Sequence, residues 1–219
     1  MKKIISLITI LILLLPSLAA CAPQQKIYQA QFFELFDTVT VLMGYAEPQE
    51  EFGQRAEDIK QDIEEFHKLY DIYNSYEGYT NLHDVNQMAG QGPIVVDSRI
   101  LDLLEFSKQM YVDFDGKVNV AMGAVLRIWH EYRSYGQDYP EEAALPERSE
   151  LEEAAKHCNI DDIVIDRQNS TVTLLDRDMS LDVGAIAKGY AAERVAKLAQ
   201  ERGEEHLLIS LGGNVRAIG

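Results

Sequence analysis

The sequence predicts an α+β fold, and three observations predict it. Apolar residues from Phe52 to Tyr70 recur at helical spacing, Ile163 to Ile165 and Thr171 to Leu174 flank a hairpin turn, and the chain closes on a strand, loop, helix, strand unit running from Met179 to Leu211. Hairpin strands mixed with helices at irregular intervals argue for an α+β domain rather than a regular βαβ alternation. The 219 residues are 47% hydrophobic and 26% charged, the profile of a soluble globular domain of ordinary size.

The first twenty residues are the exception. Lys2 and Lys3 precede a mostly aliphatic run from Ile4 to Leu15, followed by Pro16, Ala19 and Ala20, which is the pattern of a secretory signal peptide. The run is shorter than the roughly 20 apolar residues a spanning helix needs. Leu18-Ala19-Ala20-Cys21 resembles a bacterial lipobox, so Cys21 is expected to be lipidated and to anchor an exported protein on the extracytoplasmic side of the cell membrane. That modification leaves Cys158 with no disulfide partner in the chain and fits it to a small core position. Residues 21–31 read as the lipidated cysteine and a polar tether, and the domain is expected over 32–219.

Within the domain, Phe36 to Tyr45 is β-branched and partly alternating, a strand. Phe52, Ala56, Ile59, Ile63, Phe66 and Tyr70 form one apolar helix face. Residues 71–92 show no period. Ser98 can cap a second helix whose apolar face is Ile100, Leu103, Leu104, Phe106 and Met110. A mixed segment follows from Lys117 to Trp129, then a Gly-, Pro- and Glu-rich stretch over 134–147 that reads as a surface loop, with Tyr135 and Tyr139 in it. Ser149 and Glu152 have capping-box spacing for a short helix to His157. After the hairpin come a strand from Met179 to Asp182, a helix carrying Ile186, Tyr190, Val195 and Leu198, and a strand from His206 to Leu211 before Gly212-Gly213. A dinucleotide-binding Rossmann unit is excluded there, because Val215 to Ile218 reads as continuing strand with no helix after it.

The formal net charge is −16, and loss of residues 1–20 makes it −18 over 199 residues. This argues against a nucleic-acid or anionic-lipid surface. A polyphosphate ligand on so acidic a protein needs local neutralisation, by a metal ion or by backbone N–H groups. The block Ser180 to Tyr190 offers a carboxylate at a strand end, a glycine turn and a helix opening with small residues, where a helix N-terminus favours an anion. Lys188 opposes the macrodipole, which fits ligand contact better than helix stability. On these residues alone, a surface lysine and a helix N-cap aspartate are an equal reading. His67, His83, His130, His157 and His206 share no metal-ligand spacing and have no obvious carboxylate partners, so each reads as a surface or packing histidine.

Asp182-Val183-Gly184-Ala185-Ile186-Ala187-Lys188-Gly189-Tyr190 resembles the D-x-G-x-x-A-K-G-Y block of the ApbE family, the FAD:protein FMN transferases. Further matches follow the family's order: Phe36-Asp37-Thr38, Leu69 to Tyr73 with Asn81-Leu82 and Val85-Asn86, Gly116 to Gly123 with Trp129, and Ile209 to Asn214. The resemblance implies an ApbE-like, T-fold-related architecture of mixed sheets with packed helices. It also implies transfer of the FMN half of FAD to a Thr or Ser hydroxyl of an acceptor protein, with release of AMP and dependence on Mg²⁺. Carried over residue by residue, it puts Phe36, Tyr73, Lys117, Val118, Asn119, Asp182 and Lys188 on flavin-nucleotide-contacting positions and Ala185 on a magnesium position, through its main-chain carbonyl alone. Asn119 stands where the family commonly has Asp, and Asn81 where Ser is common; both keep hydrogen-bonding capacity. No residue reads as the general base. Family members continue beyond the Gly-Gly strand to a histidine and an Asp with Ser or Thr that complete the metal site, so the sequence is expected to be a fragment. The rival readings are a flavin hydrolase or storage lipoprotein of the same fold, and a solute-binding or adhesion lipoprotein without chemistry.

Overall fold

The computed structural model describes residues 26–219. The expected signal peptide and the expected lipidation of Cys21 fall on residues outside the described ones. Among the described residues no helix is long and apolar enough to cross a membrane.

Two antiparallel sheets organise the chain. The larger has the order β1 (Lys26–Phe32), β2 (Thr40–Ala46), β6 (Leu207–Leu211), β7 (Asn214–Ile218); the smaller has the order β3 (Ile94–Val95), β5 (Thr171–Leu174), β4 (Ile163–Asp166). In β2 and β6 the buried residues alternate, Thr40, Leu42, Gly44 and Ala46 on one strand and Leu207, Ile209 and Leu211 on the other, so both present one apolar face. Helix α1 (Gln49–Tyr70) packs on β1 and β2 and against α6 (Ala187–Glu201), which also packs on β6 and β7. The buried face of α6 is built of Ala191, Ala192, Val195, Ala196 and Ala199, small side chains that let the helix lie close to its neighbours. Glu50 and Glu51 in the first turn of α1 and Lys68 in its last complement the macrodipole, and Lys68 pairs with Glu64 at 2.8 Å.

The structure departs from the sequence expectations in several places. Lys26 to Gln31, read as tether, is a strand paired along its length with β2. Its apolar content is sparse because it is an edge strand: only Tyr28, Ala30 and Phe32 reach the core, and Tyr28 stacks on Phe52. The strand expected from Phe36 starts only at Thr40. Residues 71–92 hold a short helix, α2 (Leu82–Gln87). Its N-cap is Asn81, fully buried, which accepts the Asp84 N–H at 3.2 Å and donates to the carbonyls of Lys68 (3.0 Å) and Asn74 (2.7 Å). Helix α3 (Ser98–Asp113) is capped by Asp97 rather than Ser98. Helix α4 (Gly123–Asp138) runs into the expected loop and stops before Pro140, whose ring disfavours helical backbone at Tyr139. Helix α5 (Arg148–Ala154) starts one residue before Ser149, so the expected capping box does not form. Met179 to Asp182, expected as a strand, belongs to neither sheet. His157, expected to lack a carboxylate partner, has Nδ1 at 2.6 Å from Asp176 Oδ2, and Cys158 is half-buried rather than core. The Asp176 hydrogen bond raises the His157 pKa.

Two outcomes follow. Asn81→Ala removes a cap worth about 0.5–2 kcal/mol and takes the donor from two carbonyls, each at a cost of about 1–3 kcal/mol if left unpaired. Urea unfolding should show a loss of at least about 2.5 kcal/mol, with Asn81→Ser, which keeps the cap alone, in between; a wild-type midpoint in Asn81→Ser would mean the amide donors contribute nothing, and equal midpoints for the two variants would mean the cap contributes nothing. Because the folded-state pKa of His157 is raised, its stabilisation is complete below the unfolded value of about 6.5 and is lost as pH rises through the folded value. Thermal melts of wild type and His157→Gln should therefore differ in mild acid and converge in alkali, and a gap that ignores pH would refute the pairing.

Candidate functional site

The backbone from Ser180 to Asp182 obtains its hydrogen bonds one at a time. On one side Asn86, from α2, donates Nδ2 to the Leu181 carbonyl at 3.1 Å and accepts the Leu181 N–H at 2.7 Å. On the other, the Asp182 N–H donates to the Val120 carbonyl at 2.8 Å and the Ser180 carbonyl accepts the Gly123 N–H at 3.0 Å. A Cβ on Gly123 would lie 2.5 Å from the Ser180 carbonyl oxygen, so the approach of α4 to this segment requires glycine.

Held in this way, Asp182 turns back on itself: Oδ1 accepts the Gly184 N–H at 2.8 Å, an Asx-type turn. Among the described residues nothing hydrogen-bonds Oδ2. The N-cap of α6 is Ile186, with no side-chain cap, so Asp182 is not the helix cap. Lys188 is the second residue of α6.

A cavity of about 100 Å³ opens between this turn, the end of α1 and the segment before β2. Phe36 and Asp37 form one wall, Asp71, Ile72 and Tyr73 another, and Asp182 with Lys188 the floor. A second hollow of about 400 Å³ shares Ile72, Tyr73 and Asp182 and extends to Arg127 and His130 on α4. Asp37, Asp71 and Asp182 give the first cavity three carboxylates against the single ammonium of Lys188.

The Phe36 wall is strained. Glu34, Phe36 and Asp37 have φ of 84°, 53° and 51°, left-handed conformations that cost non-glycine residues about 1–3 kcal/mol each. The turn is secured by the Phe36 N–H, which donates to His67 Nδ1 at 3.1 Å, with the two rings edge to face at 5.5 Å. The opposite wall is organised by Asp71. Its Oδ1 accepts the N–H groups of Tyr73 (2.7 Å) and Asn74 (3.1 Å), and its Oδ2 accepts the Tyr76 hydroxyl at 2.7 Å. Burial alone would raise the Asp71 carboxyl, but these hydrogen bonds outweigh it and hold the pKa below the ordinary value. Burial, and then the Asp71 hydrogen bond, push the Tyr76 hydroxyl up to about 12. Tyr73 is 60% exposed, and its ring lies over His130 at 6.3 Å. Burial and the nearby Asp182 raise its pKa, so it presents a neutral aromatic face beside a carboxylate.

Of the residues singled out from the sequence, Phe36, Tyr73, Asp182 and Lys188 meet at this cavity, and Ala185 is exposed in the turn between Gly184 and Ala187, both of which line it. Lys117, Val118 and Asn119 line neither hollow. Asn119 caps the short turn at Val120–Met122 by accepting the Ala121 N–H at 2.9 Å and donates to the Cys158 carbonyl at 2.9 Å. The segment sits just before Val120, whose carbonyl holds Asp182. His67, read as a packing residue, lines the cavity, and Asp71 and Asn86 gain roles that the motif matches alone did not show. The Asp71 turn has a local signal in the spacing of Asp71 to Asn74; Asn86 has none, because its partner is 95 residues away.

Comparison with known proteins places the chain. The ApbE family pattern matches residues 36–219. The chain is 34% identical over 140 residues to the FAD:protein FMN transferase of Treponema pallidum (strain Nichols), covering 62% of this chain and 37% of that protein. It is 32% identical over 136 residues to that of Klebsiella pneumoniae (strain 342), covering 62% of this chain and 41% of that protein. It therefore spans well under two thirds of the length of these curated relatives. Among solved structures, the flavin transferase ApbE of Vibrio cholerae superposes with a TM-score of 0.75 at 19% identity, over 90% of this chain and 60% of that one. The ApbE protein of Thermotoga maritima does so with 0.72 at 24%, over 89% and 59%. These two share the α+β fold. A family pattern that runs unbroken from the strained Phe36 turn to Gly219, across every wall of the cavity, makes the chain a member of the ApbE family.

Proposed function

We propose that the cavity around Asp182 binds FAD and that the protein transfers the FMN moiety to a Ser or Thr hydroxyl of an acceptor protein, releasing AMP, with Mg²⁺ as cofactor. The observation that carries this reading is the meeting of Phe36, Tyr73, Asp182 and Lys188 at one cavity from three separate segments. Exposed aromatic faces suit a flavin or adenine ring, Lys188 suits a phosphate, and Asp182 Oδ2 is open to a ligand.

The charge balance supports a metal. A pyrophosphate entering a site with three carboxylates and one ammonium meets net repulsion, which a divalent cation relieves. The residues present fit a hard ion: Asp182 Oδ2 and the main-chain carbonyl of Ala185 are oxygen donors in one turn, though fewer than the six that Mg²⁺ takes. When bound, the ion supplies charge neutralisation and polarisation at the phosphorus. The chain's own part is to bind and orient. The clamped backbone fixes Asp182, the Asx turn sets its carboxylate, and the two aromatic walls hold the ligand's rings.

We also propose that the protein is an exported lipoprotein, anchored to the membrane through acylated Cys21 and facing the extracytoplasmic side. The support is the Lys2-Lys3 start, the aliphatic run and the Leu18-Ala19-Ala20-Cys21 pattern. Metabolic labelling with palmitate, present in the wild type and absent in Cys21→Ser, tests it.

Asp182→Asn keeps the acceptor for the Gly184 N–H but removes the charge, so it should lower FAD affinity at least about tenfold, or about 1.4 kcal/mol, without changing the melting temperature. Wild-type affinity in this variant would remove Asp182 from the site. Titration of FAD by fluorescence quenching should show tighter binding with millimolar Mg²⁺ than with chelator, and identical curves would exclude the metal. Mass spectrometry of an acceptor peptide then separates transfer, seen as one added FMN, from hydrolysis, seen as free FMN and AMP.

A further inference from the structure

The Phe36 amide settles the direction of every hydrogen bond in the chain that leads away from it. A backbone N–H can only donate, so His67 Nδ1, 3.1 Å away, must carry a lone pair. A neutral imidazole with Nδ1 bare has its proton on Nε2. Nε2 lies 3.3 Å from the Tyr76 oxygen, which therefore accepts, and the Tyr76 proton goes to Asp71 Oδ2 at 2.7 Å. Asp71 is ionised and acceptor-only, with its other oxygen taken by the Tyr73 and Asn74 amides. The result is a chain that runs one way from the Phe36 amide through His67 and Tyr76 to Asp71, where the Tyr73 amide donates to the same carboxylate from the other side. It joins the two aromatic walls of the cavity, which are otherwise separate loops.

We infer that His67, as the neutral imidazole protonated on Nε2, is a positioning residue that couples the Phe36 wall to the Tyr73 wall, so that a change at one is felt at the other. The Phe36 turn makes the coupling consequential: its left-handed residues need an anchor, and the His67 Nδ1 lone pair is the acceptor for the amide at its centre. His67 also packs edge-on against both Phe36 and Tyr76, at 5.5 and 6.0 Å, so ring orientation and hydrogen bonding are set together. The coupling itself is independent of the ligand's identity. Its effect on affinity rests on the flavin-nucleotide reading proposed above.

The test uses the full chain in mild detergent, labelled with ¹⁵N and free of ligand. A long-range ¹H–¹⁵N spectrum should show His67 with Nδ1 unprotonated and Nε2 protonated; an Nδ1–H tautomer or an imidazolium at neutral pH would overturn the assignment. Tyr76→Phe keeps the ring and removes the hydroxyl, and it should shift the amide resonances of both Phe36 and Tyr73. An unmoved Phe36 amide refutes the coupling. For FAD affinity, His67→Leu and Tyr76→Phe should each weaken binding several-fold, the double variant should be little worse than the weaker single, and His67→Gln, which can accept and donate in the same places, should recover most of the loss. Additive losses, or no recovery by Gln, refute the positioning role. If the amides shift as expected but the wild-type chain binds no FAD, the coupling stands and the flavin-nucleotide reading falls.

Discussion

The site depends on a stretch of three residues that lies outside both sheets. Ser180 to Asp182 takes its hydrogen bonds from an asparagine side chain on one flank and from the entry to α4 on the other. A sheet strand shares its register with its neighbours, whereas this segment is located by four specific bonds and one close glycine approach. That gives a rigid backbone with the Asp182 carboxylate at its end and no neighbouring strand to cover the carboxylate. A catalytic or binding constellation needs such support, since a misplacement of an ångström is enough to lose function.

Around this rigid element the walls are set by loops under constraint. The Phe36 turn is held in left-handed backbone conformations, and the Asp71 loop is gathered by one carboxylate accepting several donors. The first is a conformation that the local sequence would not adopt by preference. Strain of this kind persists when surrounding contacts over-determine it, and here those contacts come from the last turns of α1, where His67 faces one wall and Tyr70 lines the cavity beside it. The long helix thus does two things: its apolar face fills the space over β1 and β2, and its C-terminal end sets the shape of the cavity.

Much of the fold was legible. The 3.6-residue recurrence from Phe52 to Tyr70, the hairpin between Ile165 and Thr171 and the helix carrying Tyr190, Val195 and Leu198 all form where the pattern indicates, because each is determined by burial of one face or by turn chemistry within a few residues. Edge and short elements were not. β1 lacks a strong pattern because an edge strand needs few apolar residues, and α2 is too short for a period and is located by Asn81, whose buried amide ties it to the end of α1 and to the loop at Asn74. The capping positions moved by one residue at α3 and by two at α5, where Asp97 and Glu147 precede the residues that the motifs favoured.

For the site, the sequence by itself determined which residue types are available and, through the ordered motif matches, that Phe36, Tyr73, Asp182 and Lys188 belong together. It also determined the acidity that makes a bare polyphosphate an unfavourable ligand. Only the tertiary structure decided that Lys117 to Asn119 stand outside the cavity, that Asp182 is not a helix cap, and that His67 and Asn86 orient the groups around it. The physical reason is separation along the chain. Asn86 and Leu181 are 95 residues apart and Phe36 and His67 are 31 apart, and a hydrogen bond between such residues leaves no trace in local periodicity; it exists only once the sheets and helices have brought the two backbones within 3 Å or so of their partners.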